Sequence, residues 1–245
     1  MKLILKRAES PIKLFCFGLF FCLSILIFAK YWSDFRRSEE RGRVVSSMLK
    51  EQDAARVTNP DIDFNLKSTF QWMNESPELE RWLVAQVARG VDPVQIASDL
   101  EGLSTQQIYS EVMANSLKRW IVSLREWGKS REIGDTLPPR RLLELGRLRN
   151  FEASGYQRTG KEYDAAVLYL WSNSLLTQFV IESPQDPYVA EALYLLGMTD
   201  LRLRHVASKA LRADRLLNLC SELYPRSIWA SQAYALWRTK LGSGA

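Results

Sequence analysis

Histidine and cysteine are both scarce in this chain. His205 is the only imidazole, and Cys16, Cys22 and Cys220 are the only thiols. No Ser-His-Asp or Cys-His assembly can be built on that one histidine. Cys220 stands alone beyond the N-terminal apolar run, so no disulfide can form within the rest of the chain. No CxxC or CxxCH is present for zinc or covalent haem. Gly and Pro number 12 and 9 in 245 residues, too few for a disordered or linker-dominated chain. No stretch alternates apolar and polar residues between hairpin turns, which argues against a strand-built fold. No carboxylate pair or metal-spaced cluster stands out. The expectation is a non-enzyme with no cofactor, no metal and no small-molecule substrate.

Excess charge is also missing from most of the chain. The formal net charge is +5. Residues 1–32 hold Lys2, Lys6, Arg7, Lys13 and Lys30 against Glu9, and from Ser33 onward the net is only +1. A nucleic-acid domain concentrates Lys and Arg on one face to neutralise phosphates. No nucleic-acid partner is expected.

What the N-terminus does have is a long apolar run. Leu14 to Ala29 is 16 residues without a charge, and residues 12–32 extend it to 21 with a lysine near each end. A helix of roughly 20 residues crosses a hydrocarbon core. Tyr31 and Trp32 sit where interfacial aromatics are found. Bulky residues around Ala29 argue against a cleaved signal peptide. Phe15 and Phe21 before the two cysteines argue against a lipoprotein site. The expectation is a single-pass signal anchor in the inner (cytoplasmic) membrane, with the bilayer contacted through residues 12–32. Lys and Arg nearly balance across the run; a short basic tail ordinarily stays cytoplasmic, placing residues 33–245 in the periplasm.

Beyond it the punctuation is helical. Residues 33–57 read as a charged juxtamembrane stalk ending at Thr58-Asn59-Pro60. Ser76-Pro77 opens a helix that ends near Gly90, and Asp92-Pro93 opens another that closes at Gly102. Ser104-x-x-Gln107 is a capping box. After it, Ile108, Val112, Met113, Leu117, Trp120, Ile121, Leu124 and Trp127 fall on one buried face. Pro138-Pro139 marks a boundary. The expected divisions are a tail and anchor at 1–32, a helical stalk at 33–60, a helical subdomain at 61–137 and a repeat domain at 138–245. The expected fold is all-α: a transmembrane helix, a helical bundle and α-hairpin repeats.

The repeat is visible directly. Residues 175–195 and 216–236 superpose without a gap at an offset of 41. Leu175/Leu216, Leu176/Leu217, Pro184/Pro225, Tyr188/Trp229, Ala192/Ala233 and Leu195/Leu236 coincide in type. An apolar helix ends, Pro blocks its continuation, and a second helix starts with an aromatic anchor and small Ala contacts. Gly155-Tyr156 and Gly160 to Ala166 look like a turn and second-helix start, and Ala192 to Gly197 like a first-helix signature. Over about residues 139–241 these features resemble tetratricopeptide-type repeats of bacterial envelope proteins. The spacing of 41 exceeds the usual 34, with the extra residues around Arg202 to Ser208, and the acylated cysteine of the envelope lipoproteins is missing. The resemblance implies a helical solenoid whose concave face binds a protein or peptide, and no catalytic residue.

Three motifs carry less than they offer. Gly155 to Lys161 fits most of a phosphate-binding loop, but Glu162 replaces the hydroxyl that magnesium needs. Residues 95–108 have the flavour of a helix-turn-helix without its basic charge or its turn spacing. Asn74-Glu75-Ser76 is an isolated glycosylation tripeptide. The one basic cluster, Arg202, Arg204, Lys209, Arg212 and Arg215, is the candidate surface for an acidic protein partner. The functional expectation is therefore a membrane-anchored scaffold for protein–protein interaction, an accessory subunit of an envelope complex. The alternatives are a membrane-tethered enzyme with an unrecognised site and a membrane-anchored DNA-binding regulator.

Overall fold

Proline starts three of the helices. Pro77, Pro93 and Pro139 each stand at the first helical residue, where the missing N–H is no loss and the ring-fixed φ is already helical. A computed structural model describes residues 2–57, 77–104, 111–134, 137–159, 161–203 and 207–240. Among these residues there are nine helices and no strand: α1 (Lys2–Val57), α2 (Pro77–Ala88), α3 (Pro93–Ser104), α4 (Glu111–Gly134), α5 (Pro139–Arg158), α6 (Glu162–Glu182), α7 (Val189–Arg202), α8 (Ala207–Leu223) and α9 (Ile228–Lys240). The all-α expectation fits. The stalk's stop at residues 58–60, Asn74, Ser76 and most of the capping box at 104–107 lie outside the described residues.

The chain forms two compact units, Met1–Val44 and Val45–Ala245. In the first, α1 runs unbroken through the boundary expected at residue 32. The expected transmembrane anchor is corrected here: among the described residues no helix is long and apolar enough to cross a membrane. The charge-free run is shorter than a hydrocarbon core. The charge-free run is 16 residues between Lys13 and Lys30, about 24 Å at 1.5 Å per residue against a core of about 30 Å. Asp34, Arg36, Arg37, Glu39 and Glu40 then follow on the same helix. Phe20, Phe28 and Tyr31 are exposed, and Trp32 stacks between Phe28 and Phe35 at 6.3 and 6.1 Å.

In the second unit α2 ends on a Schellman motif. Val91 N–H donates to the Gln86 carbonyl and Gly90 N–H to that of Val87, both at 3.1 Å. Gly90 takes φ of 76°, the left-handed turn that glycine adopts without a Cβ penalty. Asp92 caps α3 by accepting from Val94 N–H at 2.7 Å. That helix runs two residues past Gly102 to Ser104. Trp120 and Trp127 on α4 are buried, as their spacing predicts. They join Val45, Leu49, Trp82, Leu83, Ile96 and Leu100 in a continuous core.

Helix α6 is the centre of this unit. It packs against α5, α7, α4 and α2, and every residue from 165 to 173 is buried. A helix wrapped on all sides shows no amphipathic period, and residues 165–181 contain no charged side chain.

The repeat reappears as geometry. At the α6–α7 turn, Ser183 N–H donates to Phe179, Asp186 N–H to Ser183 and Val189 N–H to Asp186. At the α8–α9 turn, Tyr224 N–H donates to Cys220, Ser227 N–H to Tyr224 and Ala230 N–H to Ser227. Each residue has moved by 41. The side-chain bonds follow: Asp186 accepts from Tyr188 N–H at 2.9 Å, and Ser227 from Trp229 N–H at 3.2 Å. Inside each hairpin a glycine lets the helices meet. A Cβ on Gly146 of α5 would lie 2.7 Å from Leu176, and one on Gly197 of α7 would lie 2.8 Å from Leu217. Both leucines are fully buried, and they are themselves related by the same offset.

Candidate functional site

Helices α5 and α7 lie side by side and point the same way. Arg147 binds Glu191 through two bonds of 2.6 and 2.5 Å, Asn150 donates to Thr199 at 2.9 Å, and Arg202 donates to Ser154. Partner numbers rise together on both helices, as only a parallel pair allows. Leu148 and Phe151, next to Arg147 and Asn150 on α5, are 47% and 69% exposed. Leu195, a turn from both Glu191 and Thr199, is half-buried, as is its repeat equivalent Leu236 on α9. An apolar strip thus borders a seam closed by charged and amide hydrogen bonds. Tyr188 anchors the start of α7 between Arg140 and Arg147, whose guanidinium carbons lie 4.3 and 5.2 Å from its ring centroid.

Of the basic cluster singled out in the sequence, the described members Arg202, Arg212 and Arg215 do not share one surface. Arg212 is buried, and its Nε lies 3.4 Å from Asp200 Oδ2. Its Nη2 donates to Asn173 at 3.1 Å and to Thr177 at 3.3 Å, and Asn173 donates to Asp200 at 2.7 Å. These groups tie α6, α7 and α8 together. Arg202 turns to the α5–α6 side, donating to Tyr169 OH at 2.6 Å while that hydroxyl donates to Gln157 at 3.0 Å. Arg215 is exposed on α8. Arg204 and His205 lie outside the described residues, as does the side chain of Lys209.

Sequence reasoning missed a second surface. Helices α4 and α5 both pack on α6 and leave a cleft of about 440 Å³ between them, lined among others by Lys118, Arg119, Val122, Arg149, Tyr156 and Leu168. Arg149 is fixed at its edge. The guanidinium lies 3.9 Å from the Trp171 ring centroid and Nη1 binds Glu152 at 2.7 Å. Residues from three helices line this cleft, so no local motif announces it. Its only sequence trace is charge recurring at helical spacing along α4 and α5.

Cys220 is buried and donates to the Ala190 carbonyl at 3.2 Å. Burial pushes its thiol from 9.0 up to about 12. In a chain with Cys16 and Cys22 replaced by serine, a thiol reagent at pH 8 is expected to leave Cys220 unmodified when folded and to modify it fully in denaturant. The neutral thiol's contribution to stability is complete below pH 9, where the unfolded thiol also keeps its proton, and is lost as pH rises towards 12. Burial likewise raises the phenol of Tyr194, against a lowering pull from Arg202. Among the described residues no group of three or more His, Cys, Asp or Glu side chains could hold a metal ion. No protein-family model, curated protein or solved structure matches the chain.

Proposed function

We propose that residues 137–240 are a helical-repeat scaffold that binds a protein partner along the face formed by α5, α7 and α9. The supporting observation is the turn reproduced bond for bond at residues 179–189 and 220–230. Stacked copies of one hairpin present their first helices in a row, and a row of parallel helices offers a long, shallow surface suited to a polypeptide. The exposed Leu148 and Phe151, with half-buried Leu195 and Leu236, give that surface an apolar stripe beside polar groups, the composition of a partner-binding patch.

The test is site-specific photo-crosslinking in the cells that make the protein. A photoreactive residue at Leu148 or Phe151 is expected to yield discrete protein adducts, and one at Asn218 or Glu222, exposed on α8, is not. Adducts equally abundant at all four positions, or absent from all, would refute the scaffold.

A further inference from the structure

The arginines of α5 and α7 divide by their place along the seam. Arg140, Arg141, Arg147 and Arg149 each face a carboxylate, those of Asp186, Glu144, Glu191 and Glu152 in turn. Arg158 and Arg202, in the last turns, face none among the described residues; both guanidiniums converge on Ser154 instead. Arg158 Nε donates to its carbonyl at 3.3 Å, and Arg202 Nη1 donates to its hydroxyl. Arg202 is half-buried against Tyr169, whose ring centroid lies 5.4 Å from the guanidinium carbon. Two like charges gathered on one serine repel. The free carbonyls that end α5 and α7 neutralise about one unit of charge between them, so about one positive charge is left over.

The apolar part of the face lies directly before this end. Residues 147, 151, 154 and 158 follow one another at spacings of four, three and four, and so share one side of α5. Residues 191, 195, 198 and 202 do the same on α7. The bonds from Arg147 to Glu191 and from Arg202 to Ser154 hold the two sides edge to edge. Phe151 and Leu195 thus come between a neutral pair, Arg147 with Glu191, and the cationic end. Phe151 is exposed, three residues before Ser154 and about 4.5 Å from it along the helix axis.

We propose that the α5–α7 face binds a partner polypeptide through a carboxylate side chain at Arg158 and Arg202 and an apolar side chain on Phe151 and Leu195. In an extended segment, side chains two residues apart share a side at about 7 Å, which spans the step from the phenyl ring to the two guanidiniums. From Ser33 onward the net charge is only +1, so the attraction is local to this end. It suits a single carboxylate and not the repeated phosphates of a nucleic acid. This occupant is the partner of the scaffold reading above, now given a chemistry, and the assignment rests on that reading.

The probe is the rhodamine-labelled pentapeptide Leu-Ser-Glu-Ser-Leu, which reads alike in both directions, compared with Leu-Ser-Lys-Ser-Leu. Each is titrated into the full chain and followed by anisotropy. The glutamate peptide is expected to bind, more weakly as salt rises, and the lysine peptide is not. Arg158→Glu changes an exposed side chain whose bond is to a carbonyl of its own helix. It is expected to weaken the glutamate peptide about threefold to tenfold, by losing one ion pair and gaining a like-charge contact. Arg215→Glu, exposed on α8, is expected to leave the affinity unchanged. Equal binding of the two peptides, no binding of either, or equal affinities in the two variants overturns the proposal. The scaffold fails by a different result, the absence of adducts at Leu148 and Phe151. Loss of the preference for glutamate with those adducts retained therefore discards the acidic partner alone.

Discussion

Arg212→Ala is expected to destabilise the second compact unit by about 3–5 kcal/mol, because it removes a buried guanidinium that faces Asp200 at 3.4 Å and donates to Asn173 and Thr177. The Asp200 side chain is fully buried and that of Arg212 nearly so, so solvent screening gives little relief. Their separation of 3.4 Å carries Coulombic attraction without a well-aligned hydrogen bond between them, and the aligned bonds run to Asn173 instead. Denaturant unfolding of wild type and variant measures the loss, which corresponds to roughly 6–20 °C in Tm for a unit of this size. The double variant Asp200→Leu, Arg212→Met removes both charges and keeps the volume, and is expected to recover most of the stability. A single variant costing less than about 1 kcal/mol, the range of an exposed pair, would show that these groups reach water.

Gly197→Arg is the second large effect. A Cβ at this position meets Leu217 at 2.8 Å and stands 3.6 Å from the Ala213 carbonyl, so any side chain drives α7 and α8 apart. An unpaired guanidinium in that interior adds a desolvation cost, and the sum is expected to reach about 3–5 kcal/mol or more. The control is built into the chain, since Arg238 is the same position one repeat later, on α9 and exposed. Arg238→Gly is expected to cost only about 1 kcal/mol, the helix propensity of glycine. Circular dichroism through a denaturant titration reads both. Equal losses would mean that the 41-residue register does not describe the packing. Leu193 and Ala190, buried under α8, likewise correspond to exposed Tyr234 and Ser231. The face that receives a second helix in the α7–α8 hairpin is thus altered on α9 at three positions.

The parts of the fold legible in sequence were those written locally. Pro77, Pro93 and Pro139 mark helix starts because the ring acts on its own residue, and the repeat was legible because turn chemistry at Ser183–Tyr188 and Tyr224–Trp229 is local too. Arg212 could not be placed that way. A basic residue among Arg202, Lys209 and Arg215 reads as surface, and its burial depends on Asp200 and Asn173, which lie on two other helices. Nor could the cleft, whose lining comes from α4, α5 and α6 together. The N-terminal run misled for a different reason: apolar composition was extended across lysines at both ends to reach a spanning length that the charge-free residues lack.

The shared direction of α5 and α7 has an electrostatic consequence. Their backbone dipoles add instead of cancelling, so the edge where both helices begin gathers partial positive charge and the edge where they end gathers partial negative charge. Asp186, just ahead of α7, and Glu191, in its first turn, place carboxylates at the positive edge, and Arg158 and Arg202 stand in the last turns at the negative one. At α7 the side chains thereby offset part of a field that the alignment of the helices itself creates, while Arg140 and Arg141 in the first turn of α5 add to it.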